Sequence, residues 1–271
     1  MGSAGQTSTL IMMPEPDVQS DLGGYAGATL NDPSAAAYVG IVATHNYDFN
    51  IGQPFSTSKQ FWETEVSGCA SSITTAYYST CAYDPSMTDA LYWAYNIWGW
   101  MTNANANAWV YWALIPFGGS GAYPNTGLMN PDGATIPQRL WAIGNYSKFI
   151  QPGYVRIDAS TNPQGGIYVS AYQNQSNGTL VVVAINNGNS NVSQTFSIAN
   201  GPSFGSVTPW ITSSGQNLAQ QSAVTVSSNS FTYSLPASSV TTFVGSAGSS
   251  APLQSQNTAP APPVITSIAV K

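Results

Sequence analysis

The hydrophobic period of this sequence changes once, near Tyr154, and that change restricts the possible folds more than any other feature. Before Tyr154, short apolar runs alternate with longer stretches of helical spacing, which is the pattern of βα units around a parallel sheet. After it, apolar residues recur at every second position for about ninety residues, between turns rich in Gly, Asn, Pro and Ser, as is typical of an antiparallel sandwich or barrel. The chain is therefore predicted to join an α/β region to an all-β region.

Four strands and two helices are predicted in the first region. The strands are the apolar runs Leu10–Met13, Val39–Thr44, Gln60–Val66 and Trp109–Ile115. One helix follows Asp84-Pro85-Ser86, a capping sequence with proline in the first turn, and it continues to an Asn-Ala run. Another begins after Pro137 and ends before Pro152-Gly153.

The second region contains a series of short predicted strands, a linker and a final apolar segment. The strands are Tyr154–Asp158, Ile167–Tyr172, Thr179–Ile185, Gln194–Ile198, Val207–Thr212, Ala223–Val226, Phe231–Leu235 and Val240–Val244. We therefore predict an α/β domain at residues 1–153 and a sandwich at 154–244. A Ser/Ala/Pro-rich linker at 245–263 and the first strand of a further, truncated module at 264–271 complete the prediction.

The charge of the chain excludes two classes of partner. Charged residues make up 6% of the chain, with 5 basic against 11 acidic side chains, whereas soluble domains carry about 25%. These cations are too few to neutralise a run of nucleic-acid phosphates or to bind an anionic membrane surface. The longest apolar runs are also shorter than the roughly 20 residues that span a bilayer. We expect neither a nucleic-acid partner nor a membrane partner.

The composition predicts an extracellular protein. Charges are few, Cys69 and Cys81 close a short loop, and the chain has four Asn-x-Ser/Thr sequons, at Asn145, Asn174, Asn177 and Asn191. The two cysteines form a disulfide in an oxidising compartment and stay reduced in a cytosolic chain. Because the first residues have no basic segment followed by an apolar one, we expect a secretion signal to precede Met1.

Metal and cofactor chemistry has little support in the sequence. One histidine and two cysteines cannot assemble an ordinary zinc site, no acidic cluster has calcium-loop spacing, and Gly118–Gly121 lacks the Lys and Ser/Thr of a phosphate-binding loop. We therefore expect no metal and no cofactor.

The strongest candidate for chemistry is the segment Trp62–Gly68, at the carboxyl end of a predicted strand. In a βα barrel this end is where catalytic groups converge. On a regular strand, Glu63 and Glu65 share a face about 6.6 Å apart. Two carboxylates so placed cannot flank a sugar from opposite sides, so we expect one to be catalytic and the other supporting. The alternative, two exposed acids at a loop edge, is weakened by the apolar neighbours Phe61, Trp62 and Val66.

With its neighbours, this segment resembles the C-terminal half of glycoside hydrolase family 30, in its xylanase-like branch. The resemblance runs from about Leu10 to Val244. The motifs that carry it are Met12-Met-Pro-Glu15, Leu30-Asn-Asp-Pro33, Thr44-His45-Asn-Tyr47, Trp62-Glu-Thr-Glu65-Val, Trp109-Val-Tyr-Trp112, Tyr146-Ser-Lys-Phe-Ile-Gln-Pro-Gly-Tyr-Val-Arg-Ile-Asp158, Tyr168-Val-Ser-Ala-Tyr172, Val182-Val-Ala-Ile-Asn186, Trp210-Ile-Thr-Ser-Ser214 and Leu235-Pro-Ala-Ser-Ser-Val-Thr-Thr-Phe243. The Pro-Gly-Tyr-Val-Arg-Ile-Asp and Ser-Val-Thr-Thr-Phe strings are specific when they occur together.

The resemblance implies strands 5 to 8 of a (β/α)8 TIM barrel followed by an antiparallel β-sandwich, and hydrolysis of β-linked glycans with retention. Glu65 matches the family's nucleophile. His45 and Tyr47 are placed near that carboxylate as substrate-binding residues, although a core role for a lone histidine is equally expected. Trp112 is expected to stack on a sugar ring. Glu15 closes the family's fifth strand, either in the cleft or at the barrel rim.

Two departures limit what the resemblance implies. The family's acid/base glutamate lies in an Asn-Glu-Pro motif, which this chain lacks. Relatives specific for glucuronoxylan carry an arginine after the last barrel strand, where this chain has Ala113–Phe117 without a cation.

We therefore expect an endo-β-1,4-xylanase present as an incomplete catalytic domain, weakly active alone, with a polysaccharide substrate. The partners expected are the missing N-terminal half of the barrel or a second copy. A β-1,6-glucanase, a glucosylceramidase-like enzyme and a non-catalytic glycan-binding or structural fragment are the alternatives.

Overall fold

The computed structural model describes residues 9–78, 81–116, 126–130, 132, 134–199, 201–246 and 268–270. The chain divides into two compact units. The first comprises Met1–Cys69, Thr75–Tyr83 and Gly99–Thr135, and the second Ala70–Thr74, Asp84–Trp98 and Ile136–Lys271.

The first unit contains a four-stranded, all-parallel sheet. In chain order the elements up to this sheet's last strand are β1 (Ile11–Pro14), a 3-10 helix (Gln19–Asp21), α1 (Leu22–Leu30), α2 (Pro33–Ala36), β2 (Val39–His45), β3 (Gln60–Val66), β4 (Cys69–Ser72), β5 (Thr75–Tyr77), α3 (Met87–Thr102) and β6 (Ala108–Tyr111). The strand order in the sheet is β1-β2-β3-β6. Two elements, β4 and α3, contribute residues to both units.

The core of the first unit lies between the sheet and the helical segments beside it. Val42 and Phe61, one from each central strand, are buried together with Trp100. The Phe61 ring lies 5.8 Å from that of Trp100. The Asp32 side chain accepts the backbone N–H of Ser34 at the start of α2, a typical N-cap.

Cys69 and Cys81 are bridged by a disulfide, with their Cα atoms 5.7 Å apart. The sequence is compatible with a disulfide or with two reduced thiols, and the structure has the disulfide. The bridge closes the loop that follows β3.

The second unit contains a β-sandwich and helical residues that pack on it. A seven-stranded antiparallel sheet has the order β12-β11-β15-β9-β8-β7, with β13 beside β11, and a three-stranded sheet has the order β14-β10-β16. The remaining elements of the chain are α4 (Gln138–Ser147), β7 (Tyr154–Ile157), β8 (Ile167–Asn174), β9 (Leu180–Asn186), β10 (Val192–Ile198), β11 (Ser206–Ser213), β12 (Gln216–Gln220), β13 (Val224–Thr225), β14 (Ser230–Leu235), β15 (Ser239–Gly245) and β16 (Ile268–Val270).

Aromatic residues from three strands fill the sandwich core. Phe196, Phe231 and Phe243 are buried, and their ring centroids lie 4.9 to 5.1 Å apart. Each such ring pair stabilises the fold by about 0.5–1.5 kcal/mol, in addition to the free energy gained from burying its apolar area. The alternating apolar residues of the second region therefore converge on one core.

Helix α4 is held on the sandwich by a buried amide. Asn145 Nδ2 donates to Thr242 Oγ1 at 2.9 Å and to the Trp210 carbonyl at 3.1 Å. Because Asn145 is completely buried, its sequon is not accessible to a glycosyltransferase in the folded chain.

A buried ion pair lies among the helical residues of the second unit. Arg139 Nε is 2.8 Å from Asp89 Oδ2, and both side chains are buried. The other Asp89 oxygen accepts the backbone N–H of Ala70 at 2.9 Å and the Trp93 indole N–H at 3.3 Å. Such a pair stabilises the fold only while both partners are present.

The predicted fold class, half of a parallel barrel followed by an antiparallel sandwich, is confirmed. The strand predicted at Trp109–Ile115 is wrong in length, since β6 ends at Tyr111. Helix α1 and strand β12 were not predicted: the first contains three glycines and the second is mostly polar. No helix among the described residues is long and apolar enough to cross a membrane.

The predicted domain limits remain predictions, with two observations beside them. Most of the linker at 245–263 lies outside the described residues. Within the final segment, Ile268–Val270 pairs antiparallel with Phe196–Ile198 of β10 and is the third strand of the smaller sheet.

Candidate active site

The carboxyl ends of the parallel strands bring the predicted site residues to one edge of the first unit. His45 is the last residue of β2, Glu65 is the second-last residue of β3, and Trp112 directly follows β6. Parallel strands end at the same edge of a sheet, so this edge is where a catalytic group is expected.

Glu65 is a partly exposed carboxylate with a donor near each oxygen. Its side chain is 31% exposed. Tyr47 donates its O–H to Oε1 at 2.8 Å, and His45 Nε2 lies 3.8 Å from Oε2. Tyr47 therefore orients the carboxylate by a hydrogen bond, His45 lies near its other oxygen, and part of it stays accessible to a ligand.

Tyr47 is fixed by other aromatic rings. Its ring makes edge contacts with Tyr78 at 5.1 Å and with Phe49 at 6.4 Å between centroids. Burial, reinforced by the neighbouring Glu65, raises the pKa of Tyr47 above its ordinary value. The phenol therefore stays protonated and able to donate at neutral pH.

His45 lies between two carboxylates. Its Nε2 faces Glu65, and its Nδ1 is 3.9 Å from Asp17 Oδ1. The chain after β1 is attached to β2 by main-chain bonds, since His45 N–H donates to the Pro16 carbonyl at 2.8 Å and Tyr47 N–H to the Asp17 carbonyl at 3.0 Å. These bonds fix the backbone of Asp17 beside His45.

Glu63 is also a carboxylic acid, but it differs from Glu65 in its burial and in its hydrogen-bond partners. It is completely buried, and its two oxygens accept the backbone N–H groups of Glu65 and Val110, each at 3.1 Å. Burial raises the pKa of Glu63 well above its usual value. The strand register shifts on both sides of this point, so the regular alternation assumed for the two glutamates does not hold here.

The loop after β3 passes close to the rings that hold Tyr47. A Cβ on Gly68 would lie 2.7 Å from the Tyr77 carbonyl oxygen and 3.1 Å from the Phe49 ring. Only glycine fits such an approach without moving the neighbours. Trp112 adjoins the same strand end, because its N–H donates to the Val66 carbonyl at 2.9 Å, and it is half-buried.

The structure thus brings Glu65, His45 and Tyr47 into contact and sets the Trp112 backbone on the adjacent strand. The Glu15 side chain is exposed. Sequence reasoning missed Asp17 and Tyr78. Asp17 had the one usable signal, an acid just after a predicted strand, whereas Tyr78 follows β5, which was not predicted.

The arrangement is suited to nucleophilic attack. An oriented, partly accessible carboxylate with O–H and N–H donors beside it can attack an electrophilic carbon and leave again as a stabilised anion. The described residues contain no group of three or more His, Cys, Asp or Glu side chains arranged to hold a metal ion.

Both regions of the chain are similar to known proteins. Residues 153–243 match the Glycosyl hydrolase family 30 beta sandwich domain. Glucuronoxylanase XynC of Bacillus subtilis (strain 168) is 39% identical over 222 residues, which are 79% of this chain and 48% of that protein. The chain therefore spans about half the length of the curated relatives it matches.

Solved structures of family 30 xylanases are also similar to this chain. The subfamily 8 xylanase Xyn30A from Clostridium acetobutylicum superposes with a TM-score of 0.74 at 33% identity, over 91% of this chain and 58% of that one. A family 30 endoxylanase from Clostridium papyrosolvens C71 gives 0.73 at 32% identity, over 90% of this chain and 58% of that one.

Proposed function

We propose that this chain, which belongs to glycoside hydrolase family 30, supplies the nucleophile of a retaining glycosidase that acts on β-1,4-xylan. The observation that carries the proposal is the Glu65 carboxylate, partly exposed at the carboxyl edge of a parallel sheet, with the Tyr47 O–H bonded to one oxygen and His45 Nε2 near the other. Xylanase relatives at 32–39% identity support the substrate class. The disulfide supports an extracellular location.

The proposed reaction has two steps. A Glu65 oxygen bonds to the anomeric carbon while the glycosidic C–O bond breaks, and the departing oxygen takes a proton from a general acid. Water then attacks the anomeric carbon of the glycosyl ester, gives up a proton to a base, and releases the Glu65 carboxylate. Two inversions at one carbon retain its configuration.

Tyr47 and His45 act on the carboxylate in both steps. Their donors hold Glu65 in one orientation before attack, and they stabilise the negative charge that returns to it in the second step. Trp112 is proposed to stack on a xylose ring at the adjacent strand end.

The general acid is proposed to come from outside these 271 residues. The Asn-Glu-Pro motif that carries it in the family does not occur in the sequence. Xylan has a poor leaving group that needs protonation, so we expect slow hydrolysis of xylan by the chain alone. A substrate whose leaving group departs as a stable anion avoids that requirement.

Substrate decoration is a further part of the proposal. Ala113–Phe117 contains no cation that would pair with a glucuronate branch. We therefore propose that this chain favours undecorated over glucuronate-bearing xylan, in contrast to the relatives named for glucuronoxylan.

Release of dinitrophenolate from 2,4-dinitrophenyl β-xylobioside tests the proposal on the chain as it stands. We expect a burst of one equivalent, followed by slow turnover, and a loss of at least about 1000-fold in Glu65→Gln. Asp21→Asn, at an exposed acid on the 3-10 helix, is the matched control and should react like the wild type.

Two other outcomes have defined meanings. Equal release by the wild type and Glu65→Gln would refute the nucleophile assignment. Binding to insoluble xylan without any burst would favour the alternative, a non-catalytic glycan-binding fragment.

A further inference from the structure

The role of Glu63 is not explained by the proposed reaction. The chain has three glutamates, Glu15, Glu63 and Glu65. Glu15 is exposed and Glu65 is partly exposed, but Glu63 is completely buried two residues before the proposed nucleophile. A carboxyl without access to solvent costs free energy unless its contacts compensate, so its contacts indicate what it does.

Both contacts of Glu63 are with main-chain donors at the irregular end of β3. Oε1 accepts from the Glu65 N–H and Oε2 from the Val110 N–H, each at 3.1 Å. Between Thr44 and His45, β2 changes register against β3, and between Glu63 and Val66, β3 changes register against β6. Where a ladder shifts, N–H groups lose their carbonyl partners. The Glu63 carboxyl replaces those partners on two adjacent strands.

We propose that Glu63 is a positioning residue for Glu65, a buried carboxyl that fixes the shifted end of β3 and thereby the backbone from which Glu65 projects. This inference rests on the proposed function, since it gives Glu63 its role through the nucleophile. The Glu65 N–H is bound directly by Glu63, so loss of that acceptor frees the peptide that carries the attacking group.

Burial is the main cause that raises the pKa of Glu63. The two main-chain N–H donors act in the opposite direction, and the negative charge of Glu65 on the same strand adds to the effect of burial. The residues opposite Glu63 on the neighbouring strands are Thr44 and Trp109, both uncharged, with His45 next along β2.

A pH dependence follows from that raised pKa. The folded state binds the Glu63 proton more tightly than the unfolded state, so the contribution to stability is full below the unfolded pKa of about 4.3 and is lost as the pH rises through the folded pKa. Deprotonation at high pH is then expected to lower the free energy of unfolding, because the charge of the carboxylate is buried.

Carbon-13 labelling of the glutamate carboxyls tests the raised pKa directly. Three signals are expected, and the one absent from Glu63→Gln is assigned to Glu63. That signal should titrate above the ordinary glutamate pKa of about 4.3. Titration of the Glu63 signal at or below that value would overturn the pH dependence.

Two substitutions test the positioning role. Glu63→Met removes both acceptors at similar length, and we expect the dinitrophenolate burst to slow by at least about tenfold, with the Glu65 carboxyl signal displaced and the Glu15 signal unchanged. Glu63→Gln keeps one carbonyl acceptor and should fall between Met and wild type. It also serves if Glu63→Met does not fold. Asp21→Asn is again the control.

The outcomes separate this inference from the proposed function. If no variant, the wild type included, gives a burst, the proposed function fails, and the Glu65 signal in Glu63→Met still decides the positioning role. An unchanged burst together with an unchanged Glu65 signal in both Glu63 variants would refute the positioning role of Glu63.

Discussion

The two units of this chain differ in how completely their strands are paired and their apolar side chains are buried. In the second unit, two antiparallel sheets enclose one core of buried apolar residues, three of them mutually packed phenylalanines. In the first unit, among the described residues, β1 and β6 each pair with a strand on one side only. Large exposed apolar residues lie on or near those two strands, namely Leu10, Met12 and Tyr38 near β1 and Val110, Leu114 and Ile115 near β6. An open apolar groove near β1 is lined by Ile11, Met13, Thr29, Ala35, Tyr38 and Val39.

This difference indicates that the second unit contributes mainly to stability and the first mainly to reaction with substrate. The sandwich strands use their side chains to pack a core, whereas the parallel strands also present polar side chains, Glu65 and His45, at their carboxyl ends. Substitutions in the two regions should therefore affect different properties: the free energy of unfolding in the second unit, and reaction with substrate in the first.

The largest effect is expected from Phe243→Ala. It removes a buried ring that contacts Phe196 and Phe231, and should lower the free energy of unfolding by about 3–5 kcal/mol in chemical denaturation. Val110→Thr, at a residue 44% exposed on β6, should change it by no more than about 0.5 kcal/mol. A large loss in Val110→Thr would show that this strand edge is covered in solution, for instance by a second copy.

Arg139→Met tests the buried ion pair of the second unit. It leaves the Asp89 carboxylate without its cation, which should cost about 3–5 kcal/mol of stability. The double variant Asp89→Asn, Arg139→Met should recover part of that loss, because no uncompensated charge remains. Equal stability of the Arg139→Met variant and the wild type, measured by thermal and urea unfolding, would contradict a role for this pair in the fold.

In the first unit, Tyr47→Phe should leave the fold intact and slow reaction with substrate. It removes the 2.8 Å bond to Glu65, and a hydrogen bond to a charged group contributes about 1.5–3 kcal/mol, or about 10- to 160-fold in rate. The burst with dinitrophenyl β-xylobioside measures this. Tyr77→Phe, at an exposed tyrosine of the first unit, provides the control, and an equal loss in both variants would remove the specific role of Tyr47.

The smallest effect is expected from Asp17→Asn. Its carboxylate is 90% exposed and 3.9 Å from His45 Nδ1, so the rate should fall no more than about fivefold at low salt and less at high salt. A salt-independent loss would mean that Asp17 acts on His45 through a closer contact than the one seen here.

Much of the architecture could be predicted because hydrophobic period is a local property. Gln60–Val66 was predicted to the residue, and the change to period two near Tyr154 coincides with the start of β7. The His45, Tyr47 and Glu65 contacts followed from a family resemblance, since strand ends that meet in space are far apart in sequence.

The features that were missed depend on tertiary context. Helix α1 contains Gly23, Gly24 and Gly27, which disfavour a helix by propensity. The register shifts beside Glu63 arise from pairing with two other strands, which no local pattern encodes. The contact between His45 and Asp17 depends on main-chain bonds between the end of β2 and the segment after β1.

The most direct test of the central claim is to map the covalent adduct formed with 2,4-dinitrophenyl 2-deoxy-2-fluoro-β-xylobioside, whose glycosyl ester is slow to hydrolyse. Mass spectrometry of the digested chain should find one fluoroxylobiosyl group, carried by Glu65 and absent from Glu65→Gln. An adduct on Glu15 or on any other residue, or an unmodified chain after prolonged reaction, would contradict the assignment of Glu65 as nucleophile.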